Sequence, residues 1–205
     1  MSTSKISVIG GGSFGTVIAN ITAENGNNVS FWMRNEAQAE QLNRTHKNSQ
    51  YLPNYQLNER VVATSDMAAA VKDSSLVFVA VPSSSFRQVV TDMVPHISPD
   101  TVLVSTTKGI ESGSFDMMTQ ILNQEAPKAK VGVLSGPNLA MEIAKKDLTG
   151  TVIASADEHV RQLVKSALKS KYFRVYANND MFGVELGGSL KNIYAIIAGI
   201  AAALG

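Results

Sequence analysis

The sequence predicts an α/β fold, a doubly wound and mostly parallel sheet. Short apolar runs recur along the chain and alternate with longer stretches of helical periodicity, the order expected of βαβ units. The runs are continuously apolar rather than alternating, as in strands covered on both faces. The first run also leads directly into GGGSFG, where Gly10, Gly12 and Gly15 follow G-x-G-x-x-G between a strand and a helical pattern. That placement makes the sheet Rossmann-like.

KISVIG (5–10) reads as the first strand and Thr16 to Glu24 as the helix behind the glycines. NVSFWM (28–33), RVVAT (60–64), SLVFVAV (75–81), TVLVSTT (101–107) and KVGVLS (130–135) supply the next strands. Between two of them Phe86, Val89, Val90, Met93 and Val94 recur at helical spacing. GTVIASA (150–156) and YFRVYA (172–177) flank a helix starting near Asp157, and their direction in the sheet is left open by the pattern. From Asp180, which fits an N-cap, a helical pattern runs to the last residue. Its apolar stretch from Ile193 to Leu204 is shorter than the roughly eighteen residues of a membrane span, so a buried helix is expected. Residues 1–178 are therefore read as an NAD(P)-binding domain and 179–205 as the start of a helical unit.

With 44% hydrophobic and 17% charged residues, the chain can bury one sizeable core. A net charge of +1 gives no electrostatic case for a nucleic-acid or anionic-membrane partner. His46, His96 and His159 are scattered and cysteine is absent, which excludes a zinc cluster and a disulfide framework. The lack of cysteine is compatible with a cytoplasmic location. Too few apolar residues precede the glycines for a signal-peptide core.

The glycines have distinct tasks. Gly10 permits the tight turn, Gly12 lets a pyrophosphate reach the backbone, and Gly15 lets the helix pack close to the sheet. The helix N-terminus then offers N–H groups and partial positive charge to phosphates. The competing reading is a purely structural turn, and the position between strand and helix favours dinucleotide binding. A NAD-preferring site usually carries an acidic residue at the end of the second strand, about 20 residues beyond the motif. Here that strand reaches Arg34, which suits a 2′-phosphate and selects NADP, with NAD the alternative. Glu36 could neutralise it and leave a merely solvated arginine. Phe14 has two readings, a lid over the cofactor or core packing.

Polar groups past later strands are candidates for chemistry, because open α/β sheets bind ligands at the carboxyl ends of their strands. Lys108 stands on a turn just past the fifth strand, where a solvated loop lysine is the alternative. Gly136 and Asn138 stand at a helix start past the sixth, where an ordinary cap is the alternative. In the final helix Gly188, Lys191, Asn192, Ala195 and Gly199 share a face at helical spacing. Small residues there would let a ligand approach the Lys191 ammonium, and a dry site would lower its pKa toward the range of proton transfer. The alternative is tight helix packing with Lys191 reaching outward to water.

As a set, GGGSFGT, FWMR, VAVPS, TTKGIE, LSGPNLAMEIA and GVELGGSLKNIYAIIAGI resemble the bacterial NAD(P)-dependent glycerol-3-phosphate dehydrogenases, in order and in spacing. The resemblance implies reversible reduction of dihydroxyacetone phosphate, a phosphorylated small molecule, to sn-glycerol 3-phosphate for phospholipid synthesis. It maps cofactor contacts onto Ser13, Phe14, Arg34, Tyr51, Lys108 and Ala140, and substrate contacts onto Lys108, Gly136 and Asn138. It maps the proton-transfer lysine onto Lys191. Asn138 stands where many members carry Ser or Thr, which keeps a hydrogen-bonding group but changes its geometry. Members continue into a helical domain that supplies an acidic partner for the lysine and an Arg-Asn clamp for substrate phosphate. The chain is therefore expected to be an N-terminal part that binds NADP but turns over poorly. Ile193, Ile196, Ile197 and Ile200 would then lack partners, and self-association into a homo-oligomer is expected. A non-catalytic NADP-binding module and a related dehydrogenase acting on a 3-hydroxy acid fit the same residues.

Overall fold

Each predicted strand forms, and all of them join one sheet in the computed structural model, which describes residues 5–205. Residues 1–4, which belong to the stretch ahead of the glycines that holds too few apolar residues for a signal-peptide core, lie outside the described residues. The strands are β1 (Lys5–Ile9), β2 (Asn28–Trp32), β3 (Val61–Thr64), β4 (Leu76–Val79), β5 (Val102–Ser105), β6 (Lys130–Ser135), β7 (Thr149–Ala154) and β8 (Phe173–Asn178). The helices are α1 (Ser13–Glu24), α2 (Glu36–Thr45), α3 (Met67–Val71), α4 (Ser83–Met93), α5 (Met118–Glu125), α6 (Ala140–Ala144), α7 (Glu158–Leu168) and α8 (Met181–Leu204). Helix α1 begins at Ser13 rather than Thr16, because the turn at Gly12 sets its start and apolar periodicity does not.

The strand order is β3-β2-β1-β4-β5-β6-β7-β8. Chain direction along the sheet reverses between β1 and β4, the switch point where a crevice opens beyond the carboxyl ends of the strands. Neighbours are parallel except β6 and β7, which pair Val133 with Ala154 and Ser135 with Val152 in antiparallel register. The link between them holds only the short helix α6, too little to cross back over the sheet. The longer α7 does cross back, so β7 and β8 are parallel.

Both faces are covered. One is packed by α1, α2 and α7 through Val17, Ile18, Ile21, Leu42, Val160 and Val164, and the other by α3, α4 and α5 through Val71, Phe86, Val90, Met93, Ile121 and Leu122. Central strands β4 and β5 are buried at every residue, as continuous apolar runs require. At the β3 edge the amide of Asn43 closes the Ala63 backbone, donating to its carbonyl at 2.8 Å and accepting its N–H at 2.7 Å. That blunts an otherwise open ladder.

Helix α8 has two unlike halves. Its Asp180 cap accepts the Gly183 N–H at 2.8 Å. Glu185, 2% exposed, accepts from the N–H of Thr119 at 3.0 Å and from its hydroxyl, which docks the helix on the N-terminus of α5. Beyond Lys191 the expectation of a buried helix fails: Ile193, Ile196, Ile197 and Ile200 are each more than half exposed. No element of the described residues lies over them to supply an apolar partner surface. Among the described residues α8 is also the one helix long and apolar enough to cross a membrane by length and composition, since its first half extends the apolar stretch.

At two of the three motif glycines the backbone leaves no room for a side chain. Gly10 has φ +122°, and a Cβ there would collide with the Ala80 carbonyl; one at Gly15 would collide with the Gly10 carbonyl. A Cβ at Gly12 would meet nothing within 4 Å. Gly10→Ala is therefore expected to cost roughly 2 kcal/mol or more of stability. Gly12→Ala should cost less than about 1 kcal/mol. Urea unfolding of the two variants measures both, and equal losses would contradict the assignment of different tasks to these glycines.

Candidate functional site

The crevice beyond the carboxyl ends of β1, β2, β4 and β5 is a cavity of about 730 Å³. Gly10, Gly12, Ser13 and Phe14 form its floor at the start of α1. Gly12 is the N-cap and brings no capping side chain, so the first N–H groups of α1 lack helical acceptors. Gly15 lies beneath this floor, where its missing Cβ lets α1 seat against Gly10. Phe14 packs against the core and also lines the cavity.

Arg34, at the end of β2, is exposed and lines the same cavity. Among the described residues it makes no ion pair, with Glu36 or any other carboxylate. Tyr51 flanks it from the segment after α2, and its carbonyl accepts from the Ser13 hydroxyl at 3.4 Å. Ala140 lines the far wall at the first turn of α6. Asn138 also lines it, but its amide is committed inward: Nδ2 donates to Gly150 O at 2.8 Å and Oδ1 accepts from Thr151 Oγ1 at 2.9 Å. That side chain ties the cavity wall to β7.

Lys108 lies half-buried in the cavity and donates to Gly136 O at 3.3 Å. Its pKa is lowered from 10.5 to about 8, first by burial and then by the charge of Lys191, which reaches it from α8. Helix α8 can bring Lys191 there because Gly188 abuts Ser135 at the end of β6, where a Cβ would strike the Ser135 hydroxyl. The small residue thus serves contact with the sheet. The placement of Asn192 on that face lies outside the described residues. Lys108 in the crevice with Lys191 beside it forms a pair of cationic groups that suits an anion or a developing oxyanion.

Other residues that hold Lys108 were not visible in the sequence. Arg87 on α4 reaches Glu111 at 2.7 Å, Asp116 at 3.1 Å and Glu125 at 2.6 Å, clamping the loop that follows Lys108 to α4 and α5. The guanidinium holds the Glu111 carboxyl down at about 2. Ser189 of α8 accepts the Gly109 N–H at 3.1 Å. These partners are too distant in sequence for any local pattern to join them.

A second, larger concavity of about 850 Å³ lies at the amino ends of β1 to β3, lined by Lys5, Asn28, Asn58, Arg60 and Val62. It has no glycine turn and no helix N-terminus, so the carboxyl-end crevice is the candidate site.

Sheet order, glycine turn and crevice define a dinucleotide-binding domain of the doubly wound class. The comparison with known proteins narrows this. Residues 5–161 match the family described as NAD-dependent glycerol-3-phosphate dehydrogenase N-terminus, and the chain belongs to that family. It is 52% identical over 201 residues to a glycerol-3-phosphate dehydrogenase [NAD(P)+] of Teredinibacter turnerae, covering 98% of this chain and 59% of that protein. Against the protein of the same name from Pseudomonas syringae pv. tomato it is 53% identical, covering 97% of this chain and 58% of the relative. The crystal structure of glycerol-3-phosphate dehydrogenase from Coxiella burnetii superposes with a TM-score of 0.92 at 35% identity, over 99% of this chain and 63% of that one. The chain thus spans just under three fifths of the length of the two sequence relatives.

The paired lysines give a test of the geometry. Below about pH 8 Lys108 is charged in the folded and the unfolded chain, and its burial opposes folding. As pH rises from about 8 toward 10.5 the folded state sheds the proton first, so that opposition fades. Lys191→Met removes the like charge and should raise the Lys108 pKa part of the way toward 10.5, since burial remains. A carbon-13 NMR titration of labelled lysines measures the shift; an unmoved Lys108 would separate the two groups.

Proposed function

We propose that the chain is the cofactor-binding part of an enzyme that reversibly reduces dihydroxyacetone phosphate to sn-glycerol 3-phosphate with NADPH, NADH being the alternative donor. One observation supports this above the others: the unfilled N–H groups of α1, Arg34 without an ion pair among the described residues, and Lys108 with Lys191 beside it meet at one crevice on the carboxyl edge of the sheet. Family membership adds the substrate class. A cytoplasmic location and a place in phospholipid synthesis go with this reading, which involves no nucleic acid and no membrane span.

The residues fit a dinucleotide. Space above Gly12 stays open where a side chain would stand, and the α1 N-terminus offers the positive pole that a pyrophosphate needs. Arg34 takes the 2′-phosphate as a charged, hydrogen-bonding partner. Ser13, Phe14, Tyr51 and Ala140 line the remaining cofactor contacts. When bound, the nicotinamide supplies the hydride.

The chain's own residues do the rest. Lys191 as ammonium stabilises charge growing on the carbonyl oxygen and gives its proton to that oxygen. Lys108 holds cofactor and substrate in register, itself oriented by the Gly136 carbonyl. Asn138 acts through the wall it fastens to Gly150 and Thr151. Residues 179–205 open a second, helical unit, and we assign its uncovered isoleucine face to self-association, which sedimentation of the isolated chain would show.

In a full-length enzyme carrying these residues, Lys191→Ala should lower kcat about a hundredfold or more while NADPH affinity stays near normal. Arg34→Asp should reverse the preference between NADPH and NADH in a fluorescence titration, because it removes the phosphate partner and supplies a ribose acceptor. Near-normal turnover without Lys191, or an unchanged cofactor ratio without Arg34, would overturn the respective role.

A further inference from the structure

A buried chain of side-chain hydrogen bonds lies behind the glycine turn. The Gly11 carbonyl accepts from Asn48 Nδ2 at 2.9 Å and from Gln38 Nε2 at 3.0 Å. Asn48 Nδ2 also donates to Thr16 Oγ1 at 2.8 Å, and Gln38 Nε2 to Asn48 Oδ1 at 2.9 Å. Thr16 Oγ1 in turn donates to the Gly12 carbonyl at 2.7 Å. Thr16 is fully buried and Asn48 is 1% exposed.

The chemistry of the donors fixes their orientation. A carbonyl only accepts, so both amides must turn their nitrogens toward Gly11. The Asn48 oxygen is then left for the second N–H of Gln38, and the Asn48 nitrogen for the Thr16 oxygen. Flipping the Gln38 amide would break two bonds and flipping the buried Asn48 amide three, and an unmet polar group there is costly.

The consequence reaches the crevice through the backbone. A trans peptide points its carbonyl and its N–H in opposite directions, and the chain has no cis peptide bond among the described residues. Holding the Gly11 carbonyl inward therefore turns the Gly12 N–H outward. Holding the Gly12 carbonyl, which also accepts from Thr16 N at 3.0 Å, does the same for the N–H of Ser13. Asn48 does not itself line the crevice. We propose that Asn48 is a positioning residue for the dinucleotide phosphates, aiming the N–H groups of Gly12 and Ser13 from behind the turn without touching the ligand, while Gln38, which does line the crevice, holds the same Gly11 carbonyl. This rests on the dinucleotide reading of the crevice.

The segment that carries Asn48 has its own anchors. Leu52, Tyr55 and Leu57 are buried in the core, and the Asn20 amide donates to Tyr55 Oη at 2.7 Å while accepting the Asn58 N–H at 2.7 Å. Loss of the Asn48 amide should therefore release the glycine turn more than it releases the segment.

Asn48→Ala and Gln38→Ala, made in residues 1–205, can be titrated with NADPH and separately with adenosine 2′-phosphate, which lacks the pyrophosphate. Each variant is expected to raise the NADPH Kd about tenfold. Affinity for adenosine 2′-phosphate should stay at the wild-type value, a split that general loosening of the domain would not give. Wild-type NADPH affinity in Asn48→Ala, or parallel loss of both ligands in it, would overturn the assignment. If Asn48→Ala does not fold, the same two titrations of Asn48→Ser, which keeps a polar group in the buried site, decide. A wild-type chain that binds neither ligand would overturn the dinucleotide reading and this assignment together.

Discussion

The site depends on one close backbone approach, that of Gly15 on α1 to the carbonyl of Gly10 at the end of β1. Any side chain at Gly15 would push α1 away from the sheet and turn its N-terminus off the crevice. With the approach intact, the helix start sits at the switch point between β1 and β4, and its free N–H groups face ligand rather than solvent. Gly10, at φ +122°, makes the reversal that brings the chain there. Even Arg34 belongs to this geometry, because the Gly10 N–H donates to Trp32 O at 3.0 Å and so ties the turn to the strand that ends beside Arg34.

The sequence made this part legible because its determinants are local. An apolar run, a glycine spacing and a helical pattern stand within two dozen residues of each other, and each reflects a short-range requirement. The direction of β7 was not legible, since length and content of the link after Ser135 decide it while the strand's own apolar pattern is the same either way. Nor was the segment between α2 and β3, whose polar composition hides Leu52, Tyr55 and Leu57 in the core and Asn48 behind the turn. Arg87 and Glu111 are 24 residues apart and Thr119 and Glu185 are 66 apart, so only tertiary folding brings them together.

Helix α8 shows how one pattern can mislead about burial. Apolar residues continue through Leu204, which reads as a core helix, yet only the first half finds partners among the described residues. That half is fixed by a buried carboxylate: burial pushes the Glu185 pKa up, while the N–H and hydroxyl of Thr119 at the start of α5 favour its charged form. Gly188 then meets Ser135, Ser189 meets Gly109, and Lys191 comes up against Lys108. The second half projects an apolar face whose exposure is out of keeping with its composition.

Charge distribution points the same way as the backbone. The chain is nearly neutral overall, so the positive character of the crevice comes from placement: a helix N-terminus, Arg34 and two lysines gathered at one edge of the sheet. The central claim is that this edge, and not the larger concavity at the opposite one, receives the dinucleotide. Backbone amide NMR shifts of residues 1–205 on addition of NADPH test it directly. The account predicts the largest changes at Gly11, Gly12, Ser13 and Phe14; largest changes at Asn58, Glu59, Arg60 and Val62 would contradict it.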